Sequence, residues 1–297
     1  MKQPKRKAPF CGAASALATP FTEDGVDFPA LGAMIDHQIA AGIDALVVCG
    51  TTGEAATLTE AEYRAVARFA ADRISGRVPY LLGCGSPDTA RAATRAKLAK
   101  SCGADGVLLV TPYYNKGTRD GIRRHFHTVA DAGDLPLILY HVPGRTGVRL
   151  SAEEIIAIAA HPDITGIKEA SGDMELFADL AAALGDTLSL YTGNDALLLP
   201  SLSLGGMGVI SVVSNLFPAE VCAICRAFFA GDTEGAKERQ FRILPLVRLL
   251  FRETNPAPLK CALALQGICR DTLRLPLSPV SAPLRSELSA ALDDFEK

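Results

Sequence analysis

No apolar run in this chain reaches the ~18 residues that a membrane-spanning helix needs. A large excess of charge of one sign is lacking as well. Thirty basic residues stand against 33 acidic ones, a net charge of -3, which gives no ground for a polyanionic partner such as nucleic acid. A complete metal set is also missing. Cys222-Ala-Ile-Cys225 has CxxC spacing, yet no second CxxC or nearby histidine completes a zinc site. His125 and His127, two apart in a helix-like stretch, do not share a face. The dinucleotide fingerprint fails too, because Gly83-Cys-Gly85-Ser-Pro-Asp88 lacks the third glycine. Neither a metal nor an organic cofactor is expected.

The eight cysteines are Cys11, Cys49, Cys84, Cys102, Cys222, Cys225, Cys261 and Cys269. Most lie in apolar segments and read as small core residues of a reduced, cytoplasmic protein. Lys2, Lys5, Arg6 and Lys7 form a small basic tail, read as a solvated N-terminus. The stretch Ala8–Ala18 mimics a weak signal peptide, but Pro9 and Gly12 break it and it reads better as a first strand. The 297 residues, 48% hydrophobic and 21% charged, suit a soluble protein with a substantial core. That length fits two domains, or one barrel of roughly 250 residues with an appendage.

Short Val/Ile/Leu-rich runs predict strands near 12–18, 44–49, 78–83, 105–110, 136–141, 164–169, 187–192 and 207–212. Between them lie amphipathic stretches with helix start signals. Thr59-Glu-Ala-Glu62 and Ser151-Ala-Glu-Glu154 fit the capping box, and Ser86-Pro87 offers a cap followed by proline. The ends of strands two to seven fall near residues 51, 84, 112, 140, 168 and 193. That spacing, roughly one βα unit each, implies a parallel sheet. Eight units close naturally into an α/β fold of the (β/α)8 (TIM) barrel type with a small C-terminal helical domain. Helices are expected near 218–230, 233–252, 256–268 and 281–296. The division is a tail at 1–10, the barrel at 11–217 and the helical domain at 218–297.

In such barrels the chemistry stands at the C-terminal ends of the strands. Those ends carry Gly50-Thr-Thr-Gly-Glu54, Thr111-Pro-Tyr-Tyr-Asn115, Tyr140-His-Val-Pro-Gly-Arg-Thr-Gly147 and Thr192-Gly-Asn-Asp195. Gly-Thr-Thr-Gly is either a plain turn or a cradle of hydroxyls and N–H groups for a small carboxylate. The tyrosines Tyr113, Tyr114 and Tyr140 could be packing residues, and Arg145 could be solvated or could fork onto a carboxylate. Lys168 sits in Asp163-Ile-Thr-Gly-Ile-Lys-Glu-Ala170, a short apolar run. Taken by itself it could be a strand-end lysine with its amine in water. If buried, its ammonium is penalised, its pKa falls, and the neutral amine can form a Schiff base with a carbonyl compound. Tyr140 ends the adjacent strand and could relay protons to it. A lysine, three tyrosines, two threonines and an arginine gathered at one barrel end point to a metal-free class I aldolase or lyase.

At these residues the chain resembles the dihydrodipicolinate synthase family, from Ala18-Thr-Pro-Phe21 to Asp271-Thr-Leu-Arg-Leu-Pro276. Gly50–Glu54 and the Tyr140/Lys168 pair are shared with N-acetylneuraminate lyase and other pyruvate-dependent aldolases. Thr111–Asn115, Val142–Gly147 and Asn255-Pro-Ala-Pro-Leu-Lys260 resemble the synthase branch. The resemblance implies that Lys168 forms the imine with pyruvate and that its enamine attacks L-aspartate 4-semialdehyde, in lysine and diaminopimelate biosynthesis. It further implies a relay of Thr51, Tyr140 and Tyr114, with Tyr114 reaching in from a neighbouring subunit of a homotetramer. Thr52 would hold the pyruvate carboxylate, Arg145 the semialdehyde carboxylate, and Gly193 and Ile210 would give backbone contacts near Lys168. Two departures from the family stand out. His141 occupies a place usually taken by Asn, and in the lysine-inhibition cleft Pro87 and Arg91 stand where an Asn and a Glu are usual and Tyr63 where a His or Trp is, so weak or no lysine inhibition is expected. A pyruvate-dependent aldolase acting on a sugar acid or hydroxy-keto acid is the first alternative, and a non-catalytic binding barrel the second.

Overall fold

A computed structural model describes residues 9–295, so most of the basic tail at 1–10 lies outside the described residues. Among the described residues ten strands occur in chain order: β1 Gly12–Ala16, β2 Phe21–Thr22, β3 Gly25–Val26, β4 Ala45–Val48, β5 Tyr80–Gly83, β6 Gly106–Val110, β7 Leu137–His141, β8 Ile164–Glu169, β9 Ser189–Thr192 and β10 Gly208–Ser211. Eight of them close a barrel in the order β1-β10-β9-β8-β7-β6-β5-β4, with parallel pairing between neighbours such as β6 and β7 or β8 and β9. The eight predicted strands are the eight barrel staves. The small antiparallel pair β2–β3 was not expected; its two-residue strands are too short to leave a periodicity.

The staves read as apolar runs because both faces are covered. Every residue of β4, β5, β7 and β8 is buried, as parallel strands between a filled barrel interior and an outer helical layer must be. A helix follows each stave, from Phe28–Ala40 after the first to Pro218–Phe229 after the last. Three more close the chain: Thr233–Leu250, Ala257–Leu265 and Ala282–Phe295.

The chain forms two compact units, one built on Pro79–Ile210 and the other on Ala13–Val78 with the chain from Ser211 onward. In the first unit, the helices Thr89–Ser101 and Arg119–Gly133 pack side by side. In the second, the final helix packs on Ala257–Leu265 and on Thr233–Leu250.

Both capping boxes form. Thr59 and Ser151 accept from the amides of Glu62 and Glu154, whose carboxylates bind back to the cap amides. The Ser86-Pro87 start does not. The helix begins at Thr89 with Asp88 as its cap, accepting from the Ala90 amide, while the Ser86 hydroxyl accepts from the Asp88 amide in the turn before it. Asp88 lies directly before the first helical residue, where its carboxylate reaches the free donors. None of the eight cysteines is in a disulfide, and Cys49, Cys84, Cys222, Cys225 and Cys261 are buried. His125 and His127 are held by Thr89 and by the carbonyl of Ile158. No described helix is long and apolar enough to cross a membrane.

Candidate active site

Within the Pro79–Ile210 unit, β7 and β8 pair so that Tyr140 lies opposite Lys168 and His141 opposite Glu169. Successive residues of a strand face opposite ways, so Tyr140 and Lys168 share one face and His141 and Glu169 the other. Lys168 is only 5% exposed. Its Nζ lies 4.3 Å from the centre of the Tyr140 ring, close enough for an aromatic hydroxyl and an amine to serve one substrate.

Burial drives the amine of Lys168 down to about 7, against its ordinary 10.5. Asp195 pulls it upward and Arg145 adds a smaller push downward. The dominant cause is desolvation, which penalises the ammonium and not the amine. Near neutral pH a good fraction of this lysine is therefore nucleophilic, where an ordinary lysine is almost wholly protonated.

Gly193 follows β9, and its amide donates to the carbonyl of Glu169 at 2.7 Å. A methyl group here would come within 2.6 Å of Lys168 Cε and of Ala170 Cβ. The glycine is the gap through which the lysine stem passes. Ile210 is fully buried on β10. Arg145 sits in a four-residue helix, Pro143–Thr146, closed by Gly147 in the left-handed conformation. Its side chain is exposed, but its field reaches Lys168. Tyr114 is 91% exposed with φ 70, so in the single chain its ring stands in solvent.

In the second unit, Thr51 and Thr52 follow β4 in a turn whose geometry is set from outside it. Thr52 Oγ1 accepts from Asn255 Nδ2 at 3.0 Å, and the Gly53 carbonyl accepts from the Thr19 hydroxyl at 2.8 Å. Glu54, in the left-handed region at φ 51, forms a buried ion pair with Lys260. Lys260 also donates to the Thr272 carbonyl at 2.9 Å and lies 4.0 Å from the centre of the Phe21 ring. Arg274 stands 4.3 Å from the same ring and pairs with Glu62.

In the first unit the structure brings Lys168, Tyr140 and Gly193 together and adds Asp195 and Glu169. In the second it adds Lys260. Sequence reasoning gave none of these last three a role. Lys260 carried the same signal as Lys168, a lysine inside an apolar run, here Ala257–Leu265. Asp195 stood in a quoted motif, but only the fold brings its charge within range of the lysine amine.

A closed parallel barrel with a buried, partly neutral lysine beside a tyrosine at a strand end is the equipment of a barrel lyase that works through a lysine amine. The chain belongs to the dihydrodipicolinate synthetase family, whose model matches residues 9–295. It is 43% identical over 287 residues to a 4-hydroxy-tetrahydrodipicolinate synthase of Geobacter metallireducens, covering 97% of this chain and 99% of that one. The crystal structure of dihydrodipicolinate synthase from Aquifex aeolicus is 40% identical, with a TM-score of 0.94 and 97% and 98% of the two chains covered. A protein described as the first monomeric dihydrodipicolinate synthase variant is 36% identical, with a TM-score of 0.94 over 97% of each chain.

Proposed function

We propose that this chain is a 4-hydroxy-tetrahydrodipicolinate synthase, condensing pyruvate with L-aspartate 4-semialdehyde in lysine and diaminopimelate biosynthesis. The observation that carries the mechanism is Lys168, buried and set in register with Tyr140. Its neutral amine attacks the ketone of pyruvate, and loss of water gives an imine. Loss of a methyl proton gives the enamine, whose carbon bonds to the aldehyde carbon of the second substrate. The substrate's own amine then displaces Lys168 and closes the ring. Tyr140 and Thr51 pass protons in these steps, joined by Tyr114 from a neighbouring copy of the chain.

The 91% exposure of Tyr114 at φ 70 supports this reading, since left-handed backbone in a bulky residue is uncommon and costly. Thr52 holds the pyruvate carboxylate, with Gly193 and Ile210 lining the lysine. Arg145 takes the semialdehyde carboxylate through its planar fork of donors. The exposure of Arg145 suits a group that meets the second substrate as it enters. A polyol aldehyde would find no use for such a fork, and this favours the semialdehyde over a sugar acid. We place the enzyme in the cytoplasm, as a dimer of dimers.

Borohydride reduction in the presence of pyruvate, followed by peptide mapping, tests the nucleophile. The pyruvyl adduct is expected on Lys168, with a trapping rate that rises as pH passes through about 7 and then levels off, because only the free amine attacks. An adduct on another residue, or none, would sink the mechanism. Turnover of aspartate semialdehyde against a panel of sugar aldehydes tests the substrate, and preference for a sugar aldehyde would replace it.

Feedback by lysine is expected to be weak or absent. Arg91 presents a cation where the amine of lysine would need a carboxylate, and the Tyr63 ring is fully buried. Half-inhibition of the purified enzyme at submillimolar lysine would contradict this.

A further inference from the structure

Behind Tyr140 and Lys168, on the opposite face of the same two strands, lies a second buried pair. His141 is fully buried and Glu169 is 4% exposed. His141 Nδ1 meets Glu169 Oε2 at 2.6 Å. The other ring nitrogen, Nε2, accepts from the Leu150 amide at 3.1 Å. A backbone amide can only donate, so Nε2 carries no proton and Nδ1 holds the ring's single proton, which it donates to Glu169. The second carboxylate oxygen accepts from the Ser171 amide at 2.5 Å. An unbroken chain of hydrogen bonds therefore runs from the Leu150 amide through His141 and Glu169 to the Ser171 amide.

The ends of this chain matter. Leu150 closes the segment that begins after His141 and contains the short helix bearing Arg145. Ser171 lies two residues past the strand bearing Lys168, in the loop that follows it. We propose that His141 and Glu169 are positioning residues: their link holds Tyr140 against Lys168, and the Leu150–His141 bond sets the Arg145 segment relative to that pair. The inference rests on the reading of Lys168 as nucleophile and Arg145 as carboxylate ligand. An asparagine, the usual family residue here, has a donor where Nδ1 sits but nothing that reaches to the position of Nε2. In this chain the imidazole does both tasks.

The two nitrogens can be separated experimentally. His141→Asn keeps a donor toward Glu169 and loses the acceptor for Leu150. His141→Gln places an acceptor near the Nε2 position and loses the Nδ1 donor. His141→Asn is expected to raise KM for aspartate semialdehyde by about fivefold or more while trapping by pyruvate and borohydride stays near the wild-type rate. His141→Gln is expected to slow trapping and kcat by about tenfold or more with a smaller change in that KM. Glu169→Gln, which pits an amide donor against the Ser171 amide or the His141 proton, should follow His141→Gln, and it supplies the test if either histidine variant fails to fold.

Equal losses in every parameter, or no change in folded variants, would overturn the proposal, since a merely structural pair cannot split KM from trapping. A wild-type enzyme that does not trap at Lys168 would instead refute the mechanism on which the proposal rests. Normal wild-type trapping with unsplit variants refutes the positioning pair alone.

Discussion

Lys168→Met is expected to abolish condensation and to make the protein harder to unfold. Loss of activity follows, on the proposed mechanism, from removing the amine that would bond to pyruvate. The stability gain follows from the same burial that makes the amine reactive. In the unfolded chain the lysine titrates at its ordinary 10.5, and in the fold at about 7. Between those values the unfolded state binds more protons than the native one, so native stability rises with pH across this window. Below about 7 the full cost of burying the ammonium is present, and at 1.36 kcal/mol per unit it amounts to roughly 5 kcal/mol. Methionine has similar length, no charge and a flexible stem that fits the same passage. The gain in unfolding free energy should therefore be larger at pH 6 than at pH 9, by about 2–3 kcal/mol. Denaturant titrations of both proteins at the two pH values would measure it. A variant no more stable than wild type at pH 6, or one whose gain ignores pH, would mean that Lys168 is not held desolvated. Catalytic groups are commonly retained against stability in this way.

The second large effect concerns the other buried lysine and has the opposite sign. Lys260→Met is expected to destabilise by about 3–5 kcal/mol, because it strands the Glu54 carboxylate in a dry site. Whole domains are stable by only about 5–15 kcal/mol, so this variant should unfold far earlier in denaturant. Here too burial lowers the lysine, but Glu54 opposes it directly, and the two form an ion pair. Lys260 is thus tied into an ion pair, whereas on the proposed mechanism Lys168 is the nucleophile. Glu54→Gln combined with Lys260→Met removes both charges, and it should recover much of the lost stability. If the double variant is no better than Lys260→Met alone, the pair is not coupled. Activity should fall with Lys260→Met even where the protein remains folded, since Glu54 ends the turn that carries Thr51 and Thr52, and Thr52 is itself tied to Asn255.

The contrast between these lysines explains what was legible in the sequence. The barrel staves announced themselves because strands covered on both faces must be apolar throughout, and the two capping boxes because a hydroxyl and a glutamate three residues apart are a local device. The Tyr140–Lys168 neighbourhood followed from strand order alone. What could not be read were partners brought together by distant chain: Glu54 with Lys260, and the field of Asp195 on Lys168. The His141–Glu169 link depends on strand register, which shifts at an irregularity between Leu137 and Ile138. A one-residue slip would have paired different side chains. At Ser86-Pro87 two local signals competed, and the aspartate nearer the helix took the cap.

The closed ring of staves also bears on how copies of this chain can meet. A sheet that returns on itself exposes no row of unpaired amides and carbonyls, so strand addition, one route to uncontrolled aggregation, is denied to the barrel. The small β2–β3 pair offers only two residues a side. Association must therefore use side chains on the outer helices and loops, where surface shape and chemistry select the partner. On the proposed reading, Tyr114 would be presented to a neighbour without opening the fold to indiscriminate growth.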